Sequence, residues 1–177
     1  MNIIVCPLSK APHMARQHQV ARVVSLLDPD SRFPLIDGYG ADRHLCVEVH
    51  DINQEEEGMD ACCDQRMTRI LDFVGQWERD APILIHCYAG ISRSTATAFI
   101  TACAHNPGVD ESEIAQALRK ASASAFPNRR FVALADAALG RNGRMSRAIA
   151  SIGDGHNWYD IGEATPFEIP GTFGAAA

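Results

Sequence analysis

A cysteine lies in the middle of this chain, at the junction between an apolar run and a helical pattern. The run Pro82–Ile85 predicts a buried strand, and the stretch Ser94–Ile100 predicts a helix. The short loop Cys87–Arg93, here called the anion loop, lies between them. Backbone N–H groups at such a strand–loop–helix junction converge on one point, with the positive end of the helix dipole behind them. The junction therefore predicts an anion-binding site.

The side chains of the anion loop add a nucleophile and a cation to this site. Cys87 is expected to ionise to a thiolate, because helix N-termini and cationic neighbours favour the charged form of a thiol. Arg93 closes the loop with a planar fork that suits two oxygens of a tetrahedral oxyanion. Gly90 lets the backbone turn without a Cβ in the way of the anion. The loop thus predicts a thiolate aimed at a bound phosphate.

The pattern His86-Cys87-x-x-Gly90-x-x-Arg93-Ser94 resembles the H-C-x5-R-S/T signature of the cysteine-dependent protein tyrosine and dual-specificity phosphatases. The stretch Ala89–Ser94 is most similar to the dual-specificity branch, in a small bacterial-type form. The resemblance implies a phosphoric monoester hydrolase that forms a phosphocysteine intermediate and needs no cofactor. The alternative, a buried structural cysteine beside a loop arginine, explains neither the glycine nor the adjoining hydroxyl groups.

The resemblance implies a role in phosphoester cleavage for most residues of the anion loop. Cys87 would attack phosphorus, Arg93 would hold the phosphoryl oxygens, and Ser94 would hydrogen-bond the sulfur. His86 is expected to order the loop from behind. Asn128 resembles an asparagine that members of the branch carry near the active loop, although a helix cap explains it equally well. The predicted substrate-binding residues are Tyr88, Ala89, Gly90, Ile91, Ser92 and Arg93.

Cleavage also needs a proton donor for the leaving oxygen and then a base for water, and one carboxyl group can serve as both. In the family that the chain resembles, this group is an aspartate on a loop that follows the strand upstream of the signature. Asp51 follows the predicted strand His44–Val49 and is therefore the predicted acid and base. Four carboxylates of the same acidic loop are alternatives, each explained more simply as a solvated charge: Glu55, Glu56, Glu57 and Asp60.

Strand patterns are concentrated in the first half of the chain and helical patterns in the second. The order predicts a single α/β domain with a central, mostly parallel sheet, helices on both faces, and a phosphatase-like P-loop at the C-terminal end of a central strand. Residues 1–153 form the predicted catalytic domain, and residues 154–177 form a Gly- and Pro-rich irregular tail partly packed on it. Further strands are predicted at Asn2–Leu8 and Val20–Leu27, with a helical or turn segment at Pro12–Gln19 between them. Helices are predicted at Ala61–Arg79, after Asp110, from Pro127 to Gly140 and up to Gly153.

The composition of the 177 residues limits the partners. A net charge of −6 argues against broad binding to nucleic acid or to an anionic membrane, since both need a basic face. No run approaches the roughly 20 apolar residues of a membrane helix, and the N-terminus lacks the basic stretch of a signal peptide. The sequence predicts a cytoplasmic monomer whose partner is a phosphorylated protein or a small phosphomonoester.

Six cysteines show no metal-finger spacing and are predicted to be mostly buried free thiols. The adjacent Cys62 and Cys63 leave open a resolving thiol for Cys87 under oxidation. Three residues of types that ligate metals share one strand face, namely His44, Cys46 and His50, with Glu48 between them. Residues two apart on a strand are about 7 Å from each other, which is wide for shared ligation, so no metal is predicted.

The substrate and the reaction class leave alternatives. The short chain lacks the extra segments that build a deep phosphotyrosine pocket, so a shallower pocket that takes phosphotyrosine, with phosphoserine or phosphothreonine as further substrates, fits better. Small phosphomonoesters and phosphoinositides are alternatives, although the uncharged loop side chains disfavour lipids. Sulfur transfer, arsenate reduction and a non-catalytic phosphopeptide-binding module also use or mimic such a loop.

Overall fold

The computed structural model describes residues 1–156 and 160–174. Within these ranges, five strands form one sheet in the order β3-β2-β4-β1-β5. Four of them are parallel, and β5 runs antiparallel to β1 at the sheet edge. The strands are β1 (Asn2–Pro7), β2 (Arg22–Leu27), β3 (His44–Glu48), β4 (Ile83–Cys87) and β5 (Phe167–Pro170). The prediction of a mostly parallel α/β sheet is confirmed.

Helices cover both faces of this sheet. One face packs against α1, and the other packs against the remaining helices, so β4 is buried along its whole length. The helices are α1 (Ala11–His18), α2 (Asp64–Gly75), α3 (Arg93–His105), α4 (Glu111–Ala121), α5 (Arg129–Ala138) and α6 (Arg144–Ser151). No helix in the described part of the chain is both long enough and apolar enough to cross a membrane.

The helix behind the anion loop, α3, is the most deeply buried of them. Phe99 and Ile100 are fully buried in the main core, where such side chains contribute about 1.5–3 kcal/mol each. Its buried threonines remain satisfied because their hydroxyl groups donate to carbonyls four residues earlier, as Thr97 does to Arg93 (2.9 Å) and Thr101 does to Thr97 (2.8 Å). This burial fixes the first turn of α3, and with it Arg93.

The bounds of two predicted helices are wrong. The helix expected over Ala61–Arg79 spans only Asp64–Gly75, but Trp77 beyond its end is still buried and donates its indole N–H to the Ala81 carbonyl (2.8 Å). The helix expected to begin at Pro127 begins after it, because Asn128 caps it and accepts the Phe131 N–H (3.1 Å).

The tail is more regular than the sequence suggests. Phe167–Pro170 forms β5, with Ile169 opposite Ile3 and almost fully buried. Four residues that end in proline give too short an alternation to indicate a strand. Phe173 is half-buried and donates its N–H to the Asn106 side chain (2.9 Å). Trp158 and Tyr159, which the sequence placed in this tail, lie outside the described residues, and the division at residue 153 stays a prediction.

Candidate active site

The anion loop lies at the C-terminal end of the central strand β4 and leads directly into α3. Gly90 has a left-handed backbone (φ +75°), and a Cβ there would lie 2.8 Å from the Pro7 nitrogen and 2.9 Å from the Cys6 carbonyl carbon. Any side chain would therefore collide with the backbone of β1. The glycine is needed to pack the loop against the neighbouring strand, a reason that the sequence alone did not reveal.

The predicted nucleophile, Cys87, is almost completely enclosed. Cys87 is 2% exposed, and its sulfur lies 3.1 Å from the hydroxyl oxygen of Ser94, which is itself buried. Either atom can be the donor at this distance, so the hydroxyl can hydrogen-bond the sulfur. The structure therefore brings together the two residues predicted to form and release the phosphocysteine.

The loop arginine is held from behind. Arg93 is 4% exposed, and its Nη1 donates to the Asp28 carboxylate (2.8 Å) and to the Val49 carbonyl (2.7 Å). Its Nε lies 3.7 Å from Asp51 Oδ2 and has no hydrogen-bond partner in the described part of the chain. A buried N–H without a partner is costly, and a bound oxyanion would satisfy it.

Asp28 and the Val49 carbonyl were not predicted as parts of the site. Asp28 directly follows β2, and the carboxyl ends of parallel strands meet at one edge of a sheet. That rule was a signal for Asp28, because β2 neighbours β4 in the sheet. The Val49 carbonyl carries no sequence signal, since every residue has one.

The predicted acid, Asp51, lies over the anion loop. Its Oδ1 accepts hydrogen bonds from the Ser92 hydroxyl (2.6 Å) and from the Asn128 amide (2.8 Å), and the side chain is 33% exposed. Asn128 is almost fully buried and also caps α5, so its two alternative roles coexist. These bonds leave Oδ2 on the side of Arg93.

The alternative carboxylates have other surroundings. Glu55 pairs with Arg130 (2.9 Å), and Asp60 pairs with Arg66 (3.1 Å). Glu56 and Glu57 are exposed on the same loop, and none of the four lines the cleft at Cys87. The geometry thus favours Asp51 among the five acidic candidates.

A buried hydrogen-bonded chain supports the loop from behind. His86 Nε2 lies 2.6 Å from the Ser25 hydroxyl, which in turn lies 2.7 Å from His44 Nε2. Burial lowers the pKa of His86 to about 4, and it lowers the pKa of the less buried His44 as well. His86 is therefore neutral at physiological pH, and its ordering role stays a prediction.

The residues considered as metal ligands have separate partners. His44 bonds to Ser25, Cys46 Sγ lies 3.6 Å from His44, and His50 Nδ1 accepts the Asp60 N–H (2.8 Å). Among residues 1–156 and 160–174, no cluster of three or more His, Cys, Asp or Glu side chains is arranged to hold a metal ion.

The other cysteines differ from Cys87 in their surroundings. Burial raises the pKa values of Cys6 and Cys62 to about 12, which keeps both thiols neutral. Contacts with Arg66 lower the pKa of the half-buried Cys63. All six cysteines are free thiols, and a disulfide between Cys87 and the Cys62–Cys63 pair stays a prediction.

These elements surround an open cleft of about 360 Å³. Its lining consists of Asp51, Cys87, Tyr88, Ala89, Ile91, Ser92, Arg93 and Gly162. All the predicted binding residues except Gly90 contribute to it. Gly162 comes from the tail and was not predicted; its neighbour Ala164 donates its N–H to the Ala89 carbonyl (2.8 Å), which fixes the tail beside the loop.

The buried His86 should make folding sensitive to mild acid. Its pKa is about 4 in the folded chain and near 6.5 when unfolded, so below about pH 6.5 the unfolded chain binds a proton that the folded chain does not. We expect the free energy of unfolding to fall by up to about 3 kcal/mol as the pH drops from 6.5 to 4. Urea unfolding at several pH values measures this, with His86→Gln as the control that should lose less. Equal pH dependence in both proteins would contradict the assignment.

Comparisons with known proteins agree with this geometry. The family model described as protein-tyrosine phosphatase matches residues 54–130, which include the anion loop. A comparison with curated proteins finds no significant match.

Solved structures share the fold at low sequence identity. The structure of DUSP15 is 16% identical with a TM-score of 0.60, over 83% of this chain and 89% of that one. The human tyrosine phosphatase-like serine/threonine/tyrosine-interacting protein is 17% identical with a TM-score of 0.59, over 78% and 91%. PTP-2 phosphatase of Cydia pomonella is 23% identical with a TM-score of 0.54, over 75% and 83%.

The fold, the family match and the loop agree. A cysteine at the end of the central strand is followed by a glycine that packs on β1 and an arginine that opens the next helix, and this segment lies inside the matched region. Over residues 54–130 the chain is therefore similar to the protein-tyrosine phosphatase family, and it shares its fold with solved phosphatase structures.

Proposed function

We propose that this protein is a phosphoprotein phosphatase that hydrolyses phosphotyrosine, with phosphoserine and phosphothreonine as further substrates, through a phosphocysteine intermediate. One observation carries the proposal: Cys87, Arg93 and Asp51 line a single cleft, and the buried Nε of Arg93 has no hydrogen-bond partner in the described part of the chain. These are a nucleophile, an oxyanion donor and a proton carrier within reach of one phosphate group.

In the first step, the Cys87 thiolate attacks phosphorus and the bond to the leaving oxygen breaks. Asp51 gives its proton to that oxygen, so the alcohol or phenol leaves neutral. The phosphoryl oxygens are held by Arg93 and by the backbone N–H groups of the anion loop, whose donors suit the charge that develops on those oxygens.

In the second step, a water molecule attacks the phosphocysteine while Asp51 takes up its proton. The bond between phosphorus and sulfur breaks, and inorganic phosphate leaves. Ser94, 3.1 Å from the sulfur, supports this step by donating to the thiolate as it forms. Each group returns to its starting protonation state.

Asp51→Asn tests the proposal through hydrolysis of p-nitrophenyl phosphate in EDTA, followed from about pH 4.5 to 8. An amide cannot give up a proton, so we expect kcat to fall by about 10²- to 10³-fold. The decline of the wild-type rate at alkaline pH, where the acid has lost its proton, should flatten in the variant.

The matched control is Glu56→Gln, the same neutralisation on an exposed residue of the same loop, which should keep the wild-type rate and pH profile. If Asp51→Asn matches the wild type, the acid lies elsewhere. If the folded wild type is inert, the protein binds phosphate esters without turning them over or acts on a substrate of another class.

A further inference from the structure

The cleft has one arginine in its described lining, and carboxylates flank this arginine. Arg93 is the one cation in its described lining, and it already faces Asp28 at 2.8 Å and Asp51 at 3.7 Å. The Cys87 thiolate of the reactive form adds a further negative charge. Asp51 in the lining and Asp28 outside it thus offset the charge of the one guanidinium, and the phosphate itself must be bound by Arg93 and backbone N–H groups.

The tail places a further carboxylate beside the anion loop. Gly162 lines the cleft and Ala164 bonds to the anion loop, so Glu163 between them is held beside it. The exposed Glu163 carboxylate accepts the Ser9 hydroxyl (2.7 Å). Ser9 follows Leu8, whose N–H donates to the carbonyl of the loop residue Tyr88 (3.1 Å). Glu163 therefore lies on the Tyr88 side of the opening.

Basic side chains near the acidic loop that follows β3 form ion pairs with carboxylates. Arg129 pairs with Asp154 (2.9 Å) and Arg130 pairs with Glu55 (2.9 Å). The side chains of the anion loop that face the opening are uncharged: Tyr88, Ala89, Ile91 and Ser92. These two arginines are thus paired with carboxylates, whereas the partner of Glu163 is an uncharged hydroxyl, so Glu163 leaves a net negative charge beside the opening.

We propose that the site selects phosphotyrosine in a basic peptide segment, with Lys or Arg beside the phosphorylated residue, and that Glu163 is a specificity-determining residue. This inference rests on the proposed function and names its substrate class. Carboxylates beside the opening attract a phosphopeptide with cationic flanking residues and repel a polyanionic substrate, while the phosphate group is bound in the same way in both. Phosphoinositides and acidic phosphopeptides are disfavoured by the same field.

The test uses three peptides of one length with a central phosphotyrosine, flanked by Lys, Gln or Glu. We expect kcat/KM to follow the order Lys, Gln, Glu, with about a tenfold span at low salt. The span should shrink in about 0.3 M salt, because exposed charges are screened. Binding of the same peptides to Cys87→Ser, followed by fluorescence anisotropy, reads the preference independently of turnover.

Glu163→Gln keeps the size of the side chain and a partner for Ser9 while it removes the charge. The ratio of kcat/KM between the Lys and Glu peptides should fall by about threefold. The matched control is Glu78→Gln, because Glu78 is exposed just before the N-terminal end of β4, at the opposite edge of the sheet from the loop. The control should keep the wild-type ratio.

Equal rates and equal affinities for the three peptides overturn the inference, and hydrolysis of p-nitrophenyl phosphate would then still support the proposed function. A preference for the Glu peptide, or for a soluble phosphoinositide, also overturns it. If nothing is hydrolysed but Cys87→Ser binds the Lys peptide most tightly, the proposed function fails and the charge selectivity stands. Absence of both turnover and binding overturns both.

Discussion

Replacing Cys87 by serine is expected to abolish hydrolysis of p-nitrophenyl phosphate, with kcat reduced at least about 10⁴-fold. A serine hydroxyl holds its proton at neutral pH. The described side chain within hydrogen-bond distance of this position is Ser94, and its hydroxyl group is not a base. Neither the attack on phosphorus nor the release of a thiolate can then take place. Arg93 and the loop N–H groups are unchanged, so binding of a phosphotyrosine peptide should persist.

Stopped or continuous assays at saturating substrate measure the loss, and fluorescence anisotropy measures the retained binding. Cys63→Ser is the matched control, since Cys63 is a half-buried thiol at the N-cap position of α2, where serine is favoured. It should keep the wild-type rate. Substantial turnover by Cys87→Ser would mean that water attacks phosphorus directly, and the phosphocysteine intermediate would have to be abandoned.

The anion loop could be predicted from sequence because its signals are local. Cys87, Gly90 and Arg93 lie within seven consecutive positions between a strong strand pattern and a strong helix pattern. The strand places Cys87 at the start of the loop, the glycine allows the backbone to turn, and the dipole at the helix N-terminus favours a bound anion. Parallel pairing of β4 on both sides then places the loop at the centre of the sheet edge.

The partners that hold these residues come from distant parts of the chain, and their signals are weak. Ser25, which links His86 to His44, lies inside a strand where its pattern indicates only a buried position. Asp28 reaches Arg93 because β2 neighbours β4, a fact of topology rather than of local sequence. Gly162 lines the cleft because β5 returns the tail to the sheet.

Asn128 shows how one residue can satisfy two alternative interpretations. As a helix cap it accepts the Phe131 N–H, and as a site residue it donates to Asp51. Its amide has both an acceptor and a donor end, so the two roles use different atoms. The cap fixes the Asn128 side chain, and this side chain in turn holds the Asp51 carboxylate over the anion loop.

Replacing Arg93 by lysine should reduce kcat about 10³-fold, or about 4 kcal/mol of transition-state stabilisation, with a smaller rise in KM. The guanidinium bonds to Asp28 and Val49 through Nη1 while Nε stays free for the phosphoryl oxygens. An ammonium group carries the charge on a single nitrogen and cannot serve both sides in that geometry. Because charge grows on those oxygens in the transition state, the rate should suffer more than binding.

Steady-state kinetics with p-nitrophenyl phosphate separate the two effects, and thermal unfolding checks that the buried position tolerates lysine. Arg129→Lys is the matched control: Arg129 is 65% exposed in a surface ion pair with Asp154, where either cation serves. Its kinetics should match the wild type. If Arg93→Lys raised KM strongly and left kcat unchanged, Arg93 would bind substrate and transition state equally, and the catalytic donors would be the backbone N–H groups of the anion loop alone.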